Sequence, residues 1–575
     1  MNASVWAGTK LVLAKEFRQG IRFKAAWAAM LMFALTTLSC VSLALQGAAL
    51  SPKLAAALLW VILFFASMVG ADRVFLEEEA AGTLLALRVY GGSQPVLLGK
   101  MLYTYLVLLA MGLFILPLFL MLLAENVAEP LLLFLTTALG LLGVELADHI
   151  VKVTDVREGN KPDVNLIYDA LSDRPVVSWF HKPMFLSKAY ELQSFFEGVA
   201  AYHRLTGDAR TLAAAEAFWG HLFREELNPM RSASYFDHFL YAKHHVNGMT
   251  ELCDVTHWIR LNRELWKLTG ETKYLDCIEE AFYNAFLAGV TPDGAWGAHI
   301  IRSHGTRHLT APAQTGMKLH QCCPDNMLRT FYDWADTVAD VAKDGAWEVN
   351  LYSDADIVLP GARMELRGNY PVSETFRLRV AAEKGGKLRL RVPYWASDMT
   401  VDGKALKPAA GRIEMPVAAG ERTFDLVLKM PPREIDSEAP DFEDIDTVTE
   451  LDTMKPEGYT KRFMSWYTPE MKGLERRTAA AQIMRGPLVL AKGRAVGTSR
   501  TETLEFNTIN KQPGWKLSLA PQKRSAKNAG VWGAWDLTLE KEVKGKGPET
   551  KTIPVADYWS VSCMDDPENW FSLWF

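Results

Sequence analysis

The sequence predicts a multidomain protein of three unlike parts: N-terminal transmembrane α-helices, then a helical toroid of stacked hairpins, then an all-β sandwich. Three patterns carry that expectation. Long apolar runs fill the first quarter, apolar stripes at i, i+3, i+4 spacing mark the middle, and apolar/polar alternation marks the last third. A chain of 575 residues exceeds one ordinary domain. The pattern changes place the domains at 1–145, 146–345 and 346–575.

The mean hydropathy of zero averages a greasy first quarter with an ordinary remainder. A net charge of −5 and a pI near 6.2 give no basic footprint for nucleic acid. Six cysteines in 575 residues form no disulfide framework. They fit a reducing compartment or a metal site.

Four apolar runs stand out, at about 25–45, 54–71, 96–123 and 130–144. The first three are long enough to cross a hydrocarbon core of ~30 Å as helices. The fourth is short. Lys10, Lys15, Arg18, Arg22 and Lys24 precede the first run, so the N-terminus is expected in the cytoplasm. Four spans then leave everything after Val144 on the cytoplasmic side of the inner membrane. The loop 72–95 reads Arg73-Val-Phe-Leu-Glu-Glu-Glu-Ala-Ala-Gly-Thr83 and leads to Leu97-Leu-Gly-Lys100. With its flanking spans it resembles transporter permeases, in particular the B-type permease family of the haem exporter in cytochrome c maturation. That resemblance covers about residues 10–144. It implies a truncated permease of three to four helices, membrane lipid around it, and an ATP-binding-cassette ATPase as partner through the loop 72–95.

Helices are expected over Tyr190–Thr206, Ala209–Phe223, Thr250–Thr269 and Lys273–Ala288, and from Pro324 to about Ala342. Gly207 and Gly270 stop two of them. Thr206-Gly-Asp208 and Thr269-Gly-Glu271 recur after Leu-bearing helices. Such recurrence suggests stacked helical hairpins. From about Glu348 the pattern alternates. Phe376–Val380, Leu388–Val392 and Phe424–Leu428 read as half-buried strands of a sandwich, and the acidic stretch 436–455 as a loop.

The chemistry sits in Glu251-Leu-Cys253 and Cys322-Cys323-Pro324. Zinc deprotonates thiols, prefers sulfur and accepts one carboxylate in a tetrahedral shell. Adjacent cysteines are a weak zinc signal by spacing alone, and two buried small apolar residues explain them as well. Cys322 and Cys323 are expected on a loop folding back to a helix start that carries Glu251 and Cys253.

Glu251-Leu-Cys253, Ala281-Phe-Tyr-Asn-Ala-Phe-Leu-Ala-Gly289 and Cys322-Cys-Pro-Asp-Asn-Met327 occur in order, followed by Leu388-Arg-Leu-Arg-Val-Pro-Tyr-Trp395 and Met484-Arg-Gly-Pro-Leu-Val-Leu490. Together they resemble glycoside hydrolase family 127, the β-L-arabinofuranosidase-like enzymes, over about residues 188–575. The chain therefore reads as a fusion. The resemblance implies Zn2+ held by Glu251, Cys253, Cys322 and Cys323. It implies Cys322 as nucleophile in a retaining hydrolysis of a glycoside or oligosaccharide. The family's acid/base is a glutamate upstream of Glu-x-Cys. The nearest carboxyl here is Asp237, one methylene shorter, and a solvated loop carboxylate explains it equally. His238, His244 and His245 are candidates for sugar hydroxyls, or surface histidines. Tyr190 stands where many relatives carry histidine. Trp179, His181, Trp258, Trp296 and His320 are weaker cleft candidates. The helices present are roughly half of what a closed (α/α)6-type toroid needs, so the toroid is expected to be partial. Three readings follow: a hydrolase, weakened or inactivated by the missing helices; a permease fragment with a passenger domain; and a non-catalytic carbohydrate-binding protein.

Overall fold

The computed structural model describes residues 3–22, 35–41, 93–122, 165–180, 187–244, 248–291, 297–306, 322–436, 481–503, 515–523, 528–543, 547–562 and 568–575, with a few isolated positions besides. The chain divides into two compact units, Met1–Thr154 and Asp155–Phe575.

In the first unit helix α1 (Ala3–Arg22) packs on helix α2 (Ser93–Leu122). Gly99 makes the close approach possible, since a Cβ there would lie 2.6 Å from the Val12 Cβ. Next to it the buried Lys100 ammonium lies 2.9 Å from Glu16, which supplies the partner that a buried charge requires. The Leu98-Gly99-Lys100 motif is thus a packing device between two helices. From Met101 to Leu122, α2 carries no Asp, Glu, Lys or Arg. Several of its side chains lie outside the described residues, and among the described residues no helix is long and apolar enough to cross a membrane. The expected runs 25–45, 54–71 and 130–144 and the loop 72–95 lie largely outside the described residues.

The second unit is helical first and strand-rich after. Before the strands come the helices α3 (Leu166–Ala170), α4 (Ala189–Thr206), α5 (Ala209–His221), α6 (Leu252–Thr269), α7 (Thr272–Ala281) and α8 (Cys322–Thr337). The recurring Thr-Gly-Asp/Glu motif acts through its caps. Gly207 and Gly270 end α4 and α6 at φ 74° and 76°, a region glycine enters without a Cβ penalty. Asp208 then accepts the Arg210 amide at 2.9 Å and starts α5. Phe196 and Phe218 stack at 4.0 Å between α4 and α5, and Trp258 on α6 is fully buried.

Two expectations change here. Thr250 and Glu251 belong to a strand, Met249–Glu251, paired antiparallel with Ile300–Arg302. Glu251 therefore ends a strand and caps α6 instead of lying inside a helix. Cys322 and Cys323 open α8 instead of lying on a loop. Pro324 is no obstacle there, because a proline in the first turn removes no intrahelical hydrogen bond.

Phe376, Leu378 and Val380 alternate inward along Thr375–Ala382, as their period predicts. That strand lies in a six-stranded antiparallel sheet, between Gly420–Lys429 and Ala362–Arg367. Gly386–Arg391 belongs to a second sheet, antiparallel to Arg412–Val417 and parallel to Trp347–Val349. A third sheet holds Ala481–Arg485, Leu488–Gly493 and the long hairpin Ala534–Val543/Gly547–Asp557.

Buried polar ties fasten α7 to these strands. Arg391, fully buried, reaches Asp276 at 2.6 Å and Glu279 at 2.5 Å. Tyr370 donates to Glu279 at 2.8 Å. Glu280 receives Arg231, Arg433 and Tyr394 at 2.7–2.8 Å. Asn284, in the wider turn after α7, donates to the Pro487 carbonyl and accepts the Val489 amide. The stretch Ala281–Gly289, conspicuous in the sequence for its motif, is thus the seam between helices and strands.

Candidate metal centre

The strand pairing fixes one side of the site. Glu251 lies opposite Ile300, and the Leu252 amide donates to the His299 carbonyl at 3.1 Å. Leu252 points away into a tight pack, where a Cβ on Gly297 would meet it at 2.7 Å. Glu251 and Cys253 are then free to face α8, which packs along α6.

The ligand atoms of Glu251, Cys253, Cys322 and Cys323 all lie within 4.8 Å of one another. Cys253 and Cys323 sulfurs are 3.4 Å apart, and those of Cys322 and Cys323 are 3.9 Å apart. The Glu251 Oε1 lies 3.5 Å from Cys323 and 3.8 Å from Cys322. For a tetrahedral ion with sulfur at ~2.3 Å and oxygen at ~2.0 Å, the edges come to roughly 3.8 Å between sulfurs and 3.5 Å from sulfur to oxygen. These four separations lie within about 0.4 Å of those edges. This group can hold a metal. Two apolar cysteines in a core would not face a carboxylate in this way.

Burial separates the four donors. Cys253 and Cys323 are at most 1 % exposed and Glu251 8 % exposed, whereas Cys322 is exposed. The sulfur open to an incoming molecule is thus Cys322. Hydrogen bonds from Cys253 and Cys323 pull its pKa down to about 2. The same contacts push Cys323 upward, as does the contact with Cys322 for Cys253.

A second layer surrounds the donors, and sequence reasoning misses most of it. His299 Nε2 lies 3.4 Å from the other Glu251 oxygen. One turn after Cys253, His257 Nδ1 meets Glu197 of α4, and its Nε2 lies 2.9 Å from Arg329 of α8. Arg329 also donates to Asn326 at 2.6 Å. Tyr190 sets its ring edge-on to His257 at 4.5 Å. Burial raises the Tyr190 pKa, with Cys253 and Cys322 adding to the rise and Arg329 opposing it. The available signal was the i, i+4 spacing of Cys253 and His257 and of Cys322 and Asn326.

The remaining expected residues fall elsewhere. Asp237 is buried and ion-paired with Lys188. His238 is 3 % exposed, and burial followed by Lys188 pushes its pKa down to about 3. It is therefore an enclosed neutral ring. The His244 side chain and His245 lie outside the described residues, as do His181, Trp296 and His320. Trp179 and Trp258 are core residues, 4 % and 0 % exposed, so neither presents a face to a sugar. The loop carrying Asp237 is held by Glu226, which accepts the amides of Leu240, Tyr241 and Ala242 at 2.9–3.1 Å. Arg231, Phe236 and Tyr241 adopt positive φ of 69°, 65° and 58° there, strain that packing must hold.

Residues 177–336 match the family model for the β-L-arabinofuranosidase GH127 catalytic domain. Residues 177–336 are thus similar to a GH127 catalytic domain, and this part is called the GH127-type domain below. Residues 9–156 match the family model for the CcmB protein. A non-reducing end β-L-arabinofuranosidase of Bifidobacterium longum subsp. longum is 24 % identical over 262 residues, 40 % of this chain and 39 % of that protein. The chain thus spans about two fifths of the length of that curated relative. A solved glycoside hydrolase aligns with TM-score 0.55 and 14 % identity, covering 89 % of this chain and 82 % of its own. A solved GH127 β-arabinofuranosidase aligns with TM-score 0.50 and 15 % identity, covering 86 % and 77 %. These likenesses support the helical-then-strand architecture of the GH127-type domain.

Proposed function

We propose that the GH127-type domain is a retaining glycoside hydrolase for β-L-arabinofuranosides, with Cys322 as nucleophile and Glu251, Cys253, Cys322 and Cys323 as zinc ligands. The observation that carries this reading is the convergence of three thiols and a carboxylate within 4.8 Å of one another, with only Cys322 among them exposed. Zinc bound there supplies deprotonation of the thiols and neutralises their shared charge.

The Cys322 sulfur attacks the anomeric carbon, and the C–S bond forms as the glycosidic C–O bond breaks. The leaving oxygen takes a proton from solvent water. A second water then attacks the same carbon and gives up a proton to the Asp237 carboxylate or to solvent, while the C–S bond breaks and the sulfur keeps the electron pair. Two inversions retain configuration. His299 holds Glu251, and the Glu197–His257–Arg329 chain holds the floor beneath Tyr190. Such outer contacts orient ligands. Asp237 is the carboxyl proposed as acid/base. Its ion pair with Lys188 keeps it as an acceptor, which implies weak acid catalysis and a dependence on good leaving groups. The helices α4–α8 are read as part of an (α/α)6-type toroid, and the strands as its accompanying sandwich.

The test is hydrolysis of a nitrophenyl β-L-arabinofuranoside by the full-length chain, with product configuration followed by NMR. Retained configuration, and loss of turnover in Cys322→Ser, support the reading. Turnover unchanged in Cys322→Ser sinks it. Binding of the sugar without turnover would favour the non-catalytic carbohydrate-binding reading.

A second reading concerns the N-terminal unit alone. We propose that it is a CcmB-like permease segment in the inner membrane, facing an ATP-binding-cassette ATPase through the loop 72–95, with the rest of the chain cytoplasmic. The match over residues 9–156 and the uncharged stretch Met101–Leu122 support it. Extraction from membranes only by detergent, together with co-purification of an ATPase, is the expected result. Recovery of the whole chain in the salt-washed soluble fraction contradicts it.

A further inference from the structure

We infer that a cavity between the loop after α5 and the third sheet is a binding site for a small hydroxylated aromatic carboxylate, with Arg231 and Lys243 receiving the carboxylate. Such a site stands apart from the hydrolase reading, because none of its walls belongs to the thiol cluster or to the layer around it.

The cavity has a volume of about 230 Å3. Phe223, Leu227, Pro229 and Arg231 line it from the chain that follows α5, together with Lys243. The sheet supplies the other side. Ile435 lies opposite Gln482 across a strand pair, and Trp574 is bridged to Gln482. A dry cavity of ~150 Å3 holds a benzene ring, so this volume has room for a ring and a short side arm. The loop side is built in advance. Asn228 Oδ1 accepts the amides of Met230 and Ser232 at 3.0 and 3.1 Å, and its Nδ2 donates to the Ser234 carbonyl at 2.9 Å. That turn holds Arg231 at φ 69°, a conformation that an arginine keeps only where its surroundings enforce it.

Polar atoms are left over on these walls. Arg231 is 8 % exposed, and Glu280 takes its Nε at 2.8 Å and its Nη2 at 2.7 Å. Its Nη1 has no partner among the described residues. Gln482 is 3 % exposed and spends its Nε2 on the Pro229 carbonyl. Its Oε1 has no partner among the described residues. Lys243 is half-buried and has no ion pair among them either. Glu280 also receives Arg433 at 2.7 Å, so one carboxylate serves two guanidiniums and a positive charge remains. Lys243 adds a second. Excess positive charge beside apolar and aromatic walls suits an anion with an apolar body, and the Gln482 oxygen offers an acceptor to a hydroxyl on that body. A free phosphate suits the cavity less, since its apolar walls cannot donate to the remaining oxygens.

The experiment titrates the full-length chain, in micelles of a nonionic detergent, with 3-(4-hydroxyphenyl)propionate and follows saturation-transfer NMR and the heat of binding. Saturable binding near one ligand per chain is expected. Lys243→Gln is expected to weaken it about threefold to tenfold, the range of a partly exposed charge-assisted contact. Lys243→Arg, which keeps the charge, retains most of it. Since Lys243 makes no ion pair, neither change removes a contact that the fold needs. Two analogues separate the parts of the ligand. The corresponding alcohol has the ring without the charge, and propionate has the charge without the ring; each is expected to bind about tenfold more weakly or worse. An alcohol that binds as tightly as the acid overturns the proposal, as does inorganic phosphate binding as tightly. So does the absence of saturable binding. An affinity unmoved by Lys243→Gln overturns it too, and is the result expected of a carboxylate held at the thiol cluster instead.

Discussion

Arg391→Met is expected to cost the second unit about 3–5 kcal/mol near pH 8, the usual consequence of leaving a buried charge without its partner. The guanidinium is fully buried and meets Asp276 at 2.6 Å and Glu279 at 2.5 Å. Methionine fills the stem volume but leaves two carboxylates without their cation. Tyr370 still donates to Glu279 at 2.8 Å, so Asp276 is the more exposed to the loss. Burial already pushes the Asp276 pKa up to about 7 against the pull of Arg391. Without Arg391 that carboxyl takes a proton more readily, and the penalty shrinks in acid. The expected signature in thermal melting is a fall of roughly 3–6 °C near pH 8 and a smaller one near pH 5.5. Adding Asp276→Asn returns part of the loss, because it removes the orphaned charge at nearly constant shape. A fall below about 2 °C near pH 8, or a larger loss in acid than in base, would refute the view that this ion pair fastens helix to sheet.

Cys253→Ser is expected to weaken zinc by about two orders of magnitude or more, since four donors share roughly 10–16 kcal/mol; a chelator titration reads it, and an unchanged affinity removes Cys253 from the shell. Burial raises Glu226 to about 8, against three amide donors, and Asp276 to about 7. The folded state therefore holds protons that the unfolded state has released, so stability is fullest below the ordinary carboxylate range and falls as pH rises through 7 and 8. Melting between pH 5 and 9 should show that decline, and Glu226→Gln should flatten it; a melting temperature rising over this range contradicts the sign. If Asp237 stays paired with Lys188, rates across a series of aryl arabinofuranosides should climb steeply as the leaving phenol becomes more acidic, and a flat series would mean that efficient proton donation is present.

Much of this molecule is legible in the sequence because its signals are local. Gly207 and Gly270 mark helix ends by a backbone conformation that needs no distant partner. The inward alternation of Phe376, Leu378 and Val380 announces a half-buried strand. The four metal-site residues are legible as motifs, while spacing alone leaves them ambiguous. Their convergence depends on Ile300 pairing with Glu251 and on α8 packing against α6, contacts separated by tens of residues. His299 and Arg329 escape sequence reasoning for that reason, since each acquires its role from a neighbour on another element. Pro324 suggests a helix boundary and so a loop at Cys322, yet the first turn of a helix tolerates it. Trp179 and Trp258 show the opposite error, in that an aromatic residue carries no mark in sequence that separates a sugar face from a core.

The central claim is that three sulfurs and one carboxylate hold a metal around an exposed Cys322. Zinc content and X-ray absorption of the full-length chain, with Cys322→Ser beside it, test this most directly. The account predicts about one zinc per chain in a shell of three sulfurs and one oxygen, with one sulfur lost in the variant. A folded chain that binds no zinc, or zinc in a shell unchanged by Cys322→Ser, would contradict it.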